Sequence, residues 1–225
     1  MSALVDNRVK MKYQYIIDNI LGQKTKIKVL RYLVQHPDEQ SGRRVAIEAG
    51  INHWQCHKVL RDLYEQGILN MKHAGNTYLF KLRRNQYIVE KAIIPLFNIE
   101  SRIKENMACE LKNIVTKCLP VNERKDIISS ILFGSIATGK EKTHSDIDIM
   151  LIVKNKTDKQ AIVDFILKQN DYFISRYGNT LSPYVLTREE FMARYKKKDQ
   201  LIESAVLHGN VLFGKTAGEI ITDES

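Results

Sequence analysis

Apolar residues recur at helical spacing through the first third of the chain. The spacing predicts helices over residues 8–21, 25–35, 42–48 and 53–66. The last of these is expected to begin after the N-cap Asn52 and to end at Gly67, because glycine adopts the left-handed backbone that closes many helices. The pattern then becomes extended over 68–73 and 77–82, and Ala74-Gly75-Asn76 between them predicts a three-residue hairpin loop.

This order of helices followed by a hairpin predicts a winged helix-turn-helix domain over residues 1–85. A mostly helical connector is expected over 86–118, with a break at Pro95, which lacks the amide hydrogen that a helix interior uses. Strands are predicted at 127–133, 146–153, 181–186 and 211–213, and helices at 159–169, 188–195 and 201–208. Residues 119–225 should therefore form a small mixed-sheet α/β domain, which makes the chain as a whole α+β.

Composition narrows the class of protein. The 225 residues are 44% hydrophobic and 27% charged, which is typical of globular domains. No segment approaches the roughly 18 to 20 uncharged apolar residues of a membrane span, and the first residues lack the pattern of a secretory signal. We therefore expect a cytoplasmic protein without a membrane partner. The three cysteines lack metal-ligand spacing, and their odd number argues against a disulfide framework.

Positive charge is concentrated in the N-terminal part. The net charge is +9, and residues 1–100 hold 16 Lys and Arg against 9 Asp and Glu, whereas residues 101–225 hold 19 against 17. A basic module of this kind is typical of proteins that bind a polyanion. Together with the predicted winged helix, the charge predicts duplex DNA as a partner.

In a helix-turn-helix the second helix enters the major groove, where its outward side chains meet base edges and phosphates. The outward polar residues of helix 53–66 are His53, Gln55, His57, Lys58 and Arg61. Phosphate contacts are expected from the preceding helix and from the wing, through Arg43, Arg44, Lys72, Arg83 and Arg84. Residues 22–84 resemble the winged helix-turn-helix regulators of bacteria and archaea. Such proteins often read two half-sites, which suggests a homodimer joined through helix 8–21 or the connector.

A winged helix can also serve protein contacts alone, because a fold does not fix a function. Trp54 favours that alternative, since exposed tryptophans are common at protein interfaces. A loss of salt-dependent affinity for duplex DNA on replacing Lys58 and Arg61 would separate the two interpretations.

A Gly-Ser turn follows the apolar strand 127–133, and Asp146-Ile147-Asp148 begins the next strand ten residues later. Glycine lets backbone amides approach a phosphate closely, and the serine hydroxyl adds a donor. The aspartates are two residues apart on a strand, so both carboxylates project from one face. Crowded carboxylates repel one another unless a cation lies between them, and oxygen ligands favour Mg²⁺. The alternative is a structural turn followed by a solvated aspartate pair.

The segment resembles the DNA polymerase beta-like nucleotidyltransferase superfamily, whose motif is Gly-Ser, a spacer and Asp-x-Asp on the next strand. The resemblance covers roughly residues 100–215 and implies that Asp146 and Asp148 are the catalytic metal ligands. It also implies a nucleoside triphosphate, with ATP expected, that is contacted by Gly134, Ser135, Lys140, Lys142 and Ser145. The reaction would transfer a nucleoside monophosphate to a protein or RNA acceptor and release pyrophosphate.

The chain departs from that superfamily in two respects. Many relatives continue with Ala-Arg-Gly after the Gly-Ser turn, where this chain has Ala137-Thr138-Gly139 followed by two lysines. Active members also place a third carboxylate on a later strand, whereas residues 180–186 contain no acid. Asp171 precedes that strand, and Glu189 and Glu190 follow it as first-turn acids of a helix with Thr187 as its N-cap.

Three functions are open on this basis. They are a nucleotidyltransferase, a DNA-binding regulator that senses a nucleotide without catalysis, and an antitoxin that modifies a toxin partner and represses its own operon. A third acid within metal-ligand reach of Asp146 and Asp148 would favour catalysis. Its absence would favour nucleotide binding without efficient transfer.

Overall fold

The computed structural model describes residues 15–142, 145–154 and 157–223. It is 59% helix and 20% strand, which confirms the predicted α+β class. The chain divides into two compact units, one ending at Arg102 and the other beginning at Ile103. In the described parts of the chain, no helix combines the length and the apolar character that crossing a membrane requires.

The first unit is a winged helix-turn-helix, as predicted. Its elements are α1 Ile16–Leu21, α2 Lys24–Gln35, β1 Gln40–Ser41, α3 Gly42–Glu48, α4 His53–Glu65, β2 Leu69–Ala74 and β3 Thr77–Leu82. The three strands form an antiparallel sheet in the order β1-β3-β2. Leu33, Leu60 and Phe80 are among the buried residues that join the helices to the sheet. Residues 8–14 of the predicted first helix lie outside the described residues.

The ends of α4 agree with the sequence, whereas the hairpin loop does not. The Asn52 side chain accepts a hydrogen bond from the Trp54 amide at 2.9 Å, and Gly67 has a φ of +73° just beyond the helix. Ala74 pairs with Thr77, so the loop has two residues rather than the predicted three. A two-residue loop matches the twist of the strands because Gly75, with a φ of +59°, supplies the left-handed position.

The predicted break at Pro95 is absent. A π-helical turn over Val89–Ile93 leads directly into α5, Ile94–Asn113, and a second π-helical turn follows at Ile114–Cys118. In the first turn, the Ile94 amide donates to the Val89 carbonyl, five residues earlier. We infer that this wider turn makes room for the proline ring, which a regular α-helix would bring against a backbone carbonyl.

The second unit is an α/β domain built on a mixed sheet. Its remaining elements are α6 Val121–Lys125, β4 Ile127–Phe133, α7 Gly134–Thr138, β5 Ile147–Val153, α8 Lys159–Leu167, α9 Asn170–Tyr177, β6 Leu181–Thr187, α10 Arg188–Lys196, α11 Gln200–His208, β7 Asn210–Gly214 and α12 Ala217–Thr222. The strand order is β6-β5-β4-β7, with β5 parallel to β6 and the other pairs antiparallel. The mixed sheet was predicted from the sequence.

Helices cover both faces of this sheet, which confines polar residues of β5 to its beginning. Ile147, Ile149 and Leu151 belong to the core that α8 and α9 complete. Met150 and Ile152 belong to the opposite core, which α10, α11 and α12 complete. Since side chains alternate along a strand, Asp148 lies on the same face as Met150, at the open end of that face.

Candidate functional site

Asp146 and Asp148 lie at the start of the central strand β5. Asp148 pairs with Phe133 of β4 on one side and with Ser182 of β6 on the other. Asp146 precedes the strand and is exposed, whereas Asp148 is half-buried. With a rise of about 3.3 Å per residue, the two Cα atoms are about 6.6 Å apart and their side chains share one face.

The negative charges of the two carboxylates repel each other. Burial is the largest cause that raises the pKa of the Asp148 carboxyl, and the negative charge of Asp146 raises it further. A hydrogen bond from the Ser182 hydroxyl opposes that rise. The Thr180 hydroxyl donates to Asp146. The site therefore contains two neighbouring carboxylates, each of which accepts a hydrogen bond from one hydroxyl group. This set of hard oxygen donors fits Mg²⁺, and a dication would relieve the repulsion between the carboxylates.

Gly134 forms the wall of the site opposite Asp148. Its φ is +77°, in the left-handed region that glycine occupies without strain. A Cβ at this position would lie 2.1 Å from Asp148 Oδ2, so the carboxylate occupies the space that any side chain would need. The Gly-Ser turn and the aspartate pair are therefore parts of a single packed site.

Hydrogen bonds hold the segment that follows the Gly-Ser turn in a folded-back conformation. The Ser135 carbonyl accepts from the Lys140 amide at 2.9 Å, and the Ser145 hydroxyl accepts from the Lys142 amide at 2.9 Å. Asn179 donates to the Ser145 carbonyl at 2.7 Å, which fixes the approach to Asp146. The side chains of Lys140 and Lys142 are exposed, and Thr143 and His144 lie outside the described residues.

Lys104 of α5 also holds this segment. Its Nζ lies 3.4 Å from the Ile136 carbonyl and 2.8 Å from Glu141 Oε1. The hydrogen bond from Lys104 lowers the pKa of the Glu141 carboxyl, so this ion pair persists at neutral pH. The helix that enters the second unit is thereby tied to the loop that carries both predicted phosphate-binding lysines.

None of the three candidate third acids joins the aspartate pair. Glu190 caps α10 together with Thr187 and lies 2.6 Å from Lys159 Nζ. Thr187 pairs with Val153, five residues along β5 from Asp148, or about 16 Å. Glu189 adjoins Glu190 in the same helical turn, and Asp171 is exposed on α9, which packs on the other face of the sheet. Across residues 15–142, 145–154 and 157–223, no group of three or more His, Cys, Asp and Glu could hold a metal.

The hydroxyl groups of Thr180 and Ser182 were not predicted to belong to the site. Ser182 stands beside Asp148 in the parallel register, where a third carboxylate on the neighbouring strand would be placed. A signal was present: Thr180-Leu181-Ser182 has the same polar–apolar alternation as Asp146-Ile147-Asp148. Two such segments at the starts of neighbouring parallel strands bring four polar side chains to one edge of a sheet.

In the first unit, the outward polar side chains of α4 are exposed, as the groove-binding interpretation requires. These residues are His53, Gln55, His57, Lys58 and Arg61. Arg43 and Arg44 are exposed at the start of α3. Exposed basic side chains therefore lie on both helices of the helix-turn-helix.

The predicted phosphate-binding residues of the wing differ in their exposure and in their contacts with the rest of the protein. Lys72 is exposed and lies 3.5 Å from Glu39. Arg83 is half-buried, and its Nε donates to Asn70 Oδ1 at 3.0 Å. Arg84 is also half-buried, and its guanidinium donates to the Val34 carbonyl at 2.6 Å. Arg84 is thus occupied by the protein's own backbone, which leaves Lys72 as the most accessible of the three.

Comparison with known proteins gives a family match for the second unit. Residues 116–217 match the model of the family described as "Polymerase beta, Nucleotidyltransferase". A protein of Methanocaldococcus jannaschii described as "Putative protein adenylyltransferase" is 37% identical over 84 residues, which are 34% of this chain and 54% of that protein. The chain thus spans about half the length of this curated relative.

Solved structures give weaker likenesses. A homodimeric winged helix-turn-helix DNA-binding domain from Mycobacterium bovis is 15% identical, with a TM-score of 0.30, covering 40% of this chain and 77% of that one. A toxin–antitoxin structure with AMP-PNP is 17% identical, with a TM-score of 0.33, covering 51% and 82% respectively.

Proposed function

We propose, from the match of residues 116–217 to the model of the polymerase beta nucleotidyltransferase family, that the chain transfers a nucleoside monophosphate from a Mg²⁺-bound nucleoside triphosphate. ATP is the expected donor, and the acceptor is a hydroxyl group of a protein or an RNA. One observation carries the proposal: the Asp148 carboxylate of β5 packs against Gly134 at the Gly-Ser turn and is close enough to Asp146, just before the strand, to feel its charge.

Each group of residues in the site would have its own role in the reaction. Asp146 and Asp148 would hold the cation, and Thr180 and Ser182 would orient the carboxylates by donating hydrogen bonds to them. When bound, Mg²⁺ would neutralise the triphosphate and polarise the phosphate under attack. The Gly-Ser turn, Ser145 and the exposed side chains of Lys140 and Lys142 would contact the phosphates. The acceptor oxygen would form a bond to the α-phosphorus as the bond to pyrophosphate breaks, and the hydroxyl proton would leave to solvent.

A label-transfer assay tests the reaction. The chain is incubated with Mg²⁺ and ATP labelled at the α- or the γ-phosphate, with host proteins or tRNA as acceptors. We expect only the α-label to become covalently attached, because the γ-phosphate leaves in pyrophosphate. The Asp146→Asn variant serves as the inactive control. If none of the four nucleoside triphosphates labels any acceptor, transfer is excluded.

A second function, nucleotide binding without efficient transfer, is favoured by the serine beside Asp148. If the missing third carboxylate limits the reaction, Ser182→Asp should raise the transfer rate at least about 10-fold, since a general base contributes about 10²- to 10⁴-fold. Ser182→Asn is the matched control, because asparagine has nearly the same size as aspartate and carries no charge. A wild-type rate that equals or exceeds that of Ser182→Asp would show that the third carboxylate is not limiting.

We further propose that the first unit binds duplex DNA with α4 in the major groove, as one half of a homodimer. Replacing Lys58 and Arg61 together by alanine should reduce the slope of log affinity against log salt by about 1.8 per subunit, or about 3.6 for the dimer, since each phosphate contact contributes about 0.9. The matched control replaces Lys112 and Lys168, two exposed lysines of the second unit, and removes the same charge. An unchanged slope in the Lys58 and Arg61 variant would exclude α4 as the reading helix.

A further inference from the structure

A groove on the first unit lies between α4 and the β2–β3 hairpin. It has a volume of about 350 Å³, and the residues facing it include Trp54, Lys58, Arg61, Met71, Tyr78 and Phe80. Phe80 is 2% exposed and lies at the base, while Trp54 is 70% and Tyr78 42% exposed at the rim. The groove thus combines an apolar base with two aromatic rings that face solvent.

The backbone of Trp54 is held in the first turn of α4, but most of its side chain is exposed to solvent. Its amide donates to the Asn52 cap at 2.9 Å, which holds it in the first turn of α4. Lys58 Nζ lies 5.6 Å from the centre of its ring. A tryptophan this exposed forgoes the stabilisation that burial would give. A ring presented beside a cation is suited to stacking on a flat, anionic ligand.

The charges around the groove favour an anion on the hairpin side of α4. His57, Lys58 and Arg61 line the groove, and no carboxylate appears among the described residues that do so. A second groove, on the other side of α4, shares the tryptophan and both of these longer cations with the first, but its wall also contains Asp62 and Glu65. A phosphate backbone is therefore drawn to the groove beside the hairpin.

The form of nucleic acid that fits this groove follows from what each form exposes. A duplex presents base edges in its grooves and keeps the faces of its bases stacked. An unpaired base exposes a face, which stacks on aromatic side chains while basic side chains follow the backbone. We propose that this groove binds a single-stranded segment and that an unpaired base stacks on Trp54. The proposal rests on nucleic-acid binding by the first unit and adds an unpaired segment to the duplex expected there.

Fluorescence tests the proposal directly, because Trp54 is the single tryptophan of the chain. The full chain is titrated at fixed ionic strength with single-stranded DNA, single-stranded RNA and blunt duplex DNA of one sequence. We expect the single strands to quench the tryptophan emission strongly, with the stronger quencher identifying the sugar. The duplex, whose bases stay stacked, should change the emission much less, and its binding is followed by the anisotropy of a dye on one strand. Duplex binding without any signal from the single strands overturns the stacking site and leaves duplex binding intact. No binding by any of the three overturns both proposals.

Substitutions at Trp54 separate stacking from general attraction. Trp54→Leu should weaken binding of a dye-labelled single strand about 5- to 150-fold, in line with the loss of one stacked base, whereas Trp54→Phe should keep most of the affinity. The salt dependence should stay unchanged in both variants because no charge is removed. Ile47→Ala, at a residue of α3 that is 67% exposed outside the groove, should bind as the wild type does. Wild-type affinity in a folded Trp54→Leu variant would overturn the proposal.

Discussion

Replacing Asp148 with asparagine is expected to stabilise the ligand-free protein while removing its ability to bind Mg²⁺–ATP. Burial and the charge of Asp146 raise the pKa of the Asp148 carboxyl above its ordinary value of 3.8. The folded chain therefore binds this proton more tightly than the unfolded chain, and the free energy of unfolding falls as pH rises through the raised pKa. At neutral pH the asparagine variant avoids burying that charge, so it should melt at a higher temperature than the wild type.

Nucleotide binding should change in the opposite direction. Loss of a residue that merely supports a metal ligand lowers metal affinity about 10- to 100-fold, so loss of the ligand Asp148 should lower the affinity for Mg²⁺–ATP by at least about 100-fold. Calorimetric titration measures that affinity. Thermal unfolding from neutral pH downward measures the stability difference, which should shrink as Asp148 of the wild type becomes protonated. A variant that keeps wild-type affinity, or that is less stable at neutral pH, would contradict this interpretation of the site.

The second large effect is expected for Gly134→Ala. The new Cβ would meet both the left-handed backbone and Asp148 Oδ2, 2.1 Å away. Left-handed strain costs about 1–2 kcal/mol and overpacking about 1–3 kcal/mol, so the free energy of unfolding should fall by about 2–5 kcal/mol. The displaced carboxylate should also abolish Mg²⁺–ATP binding. Denaturant unfolding measures the first effect and calorimetric titration the second.

Gly178→Ala is the matched control for this substitution. Gly178 also has a φ of +77°, but a Cβ there would meet nothing within 4 Å. The control variant should therefore show the strain alone, about 1–2 kcal/mol, and should retain its affinity for Mg²⁺–ATP. Equal losses of stability and affinity in the two variants would show that contact with Asp148 is not what requires glycine at 134.

Much of the fold could be predicted because its elements have strong local patterns. The run of apolar residues at 127–133 and the alternation at 77–82 set the bounds of β4 and β3 as observed. The short helices α6, α7, α9 and α12 were not predicted, because five to eight residues show too little of the helical period. The equally short α3 was predicted because Gly50 marks its end. The two-residue hairpin loop and the π-helical turn before Pro95 depend on backbone geometry that no residue type specifies alone.

The candidate site could be predicted only where its residues are close in sequence. The Gly-Ser turn and the aspartate pair are separated by ten residues, and their spacing indicated a shared site. The alternation at 180–182 indicates a polar face, but the position of Ser182 beside Asp148 follows only from the register of β5 with β6, which is set by long-range pairing. Arg84 was predicted to contact phosphate because of its sequence position after the wing. In the structure its guanidinium instead donates to the Val34 carbonyl, a contact that depends on tertiary packing.

The central claim, that residues 134–148 with their strand partners form a Mg²⁺–nucleotide site, is tested most directly by thermal unfolding with ATP. A ligand at about 100 times its dissociation constant stabilises the folded state by about 2.7 kcal/mol, which is several degrees for a chain of this size. The account predicts that shift for the wild type with ATP and Mg²⁺ together, and no shift with ATP in chelator or in the Asp146→Asn, Asp148→Asn double variant. An equal shift in the double variant, or with ATP in chelator, would contradict it.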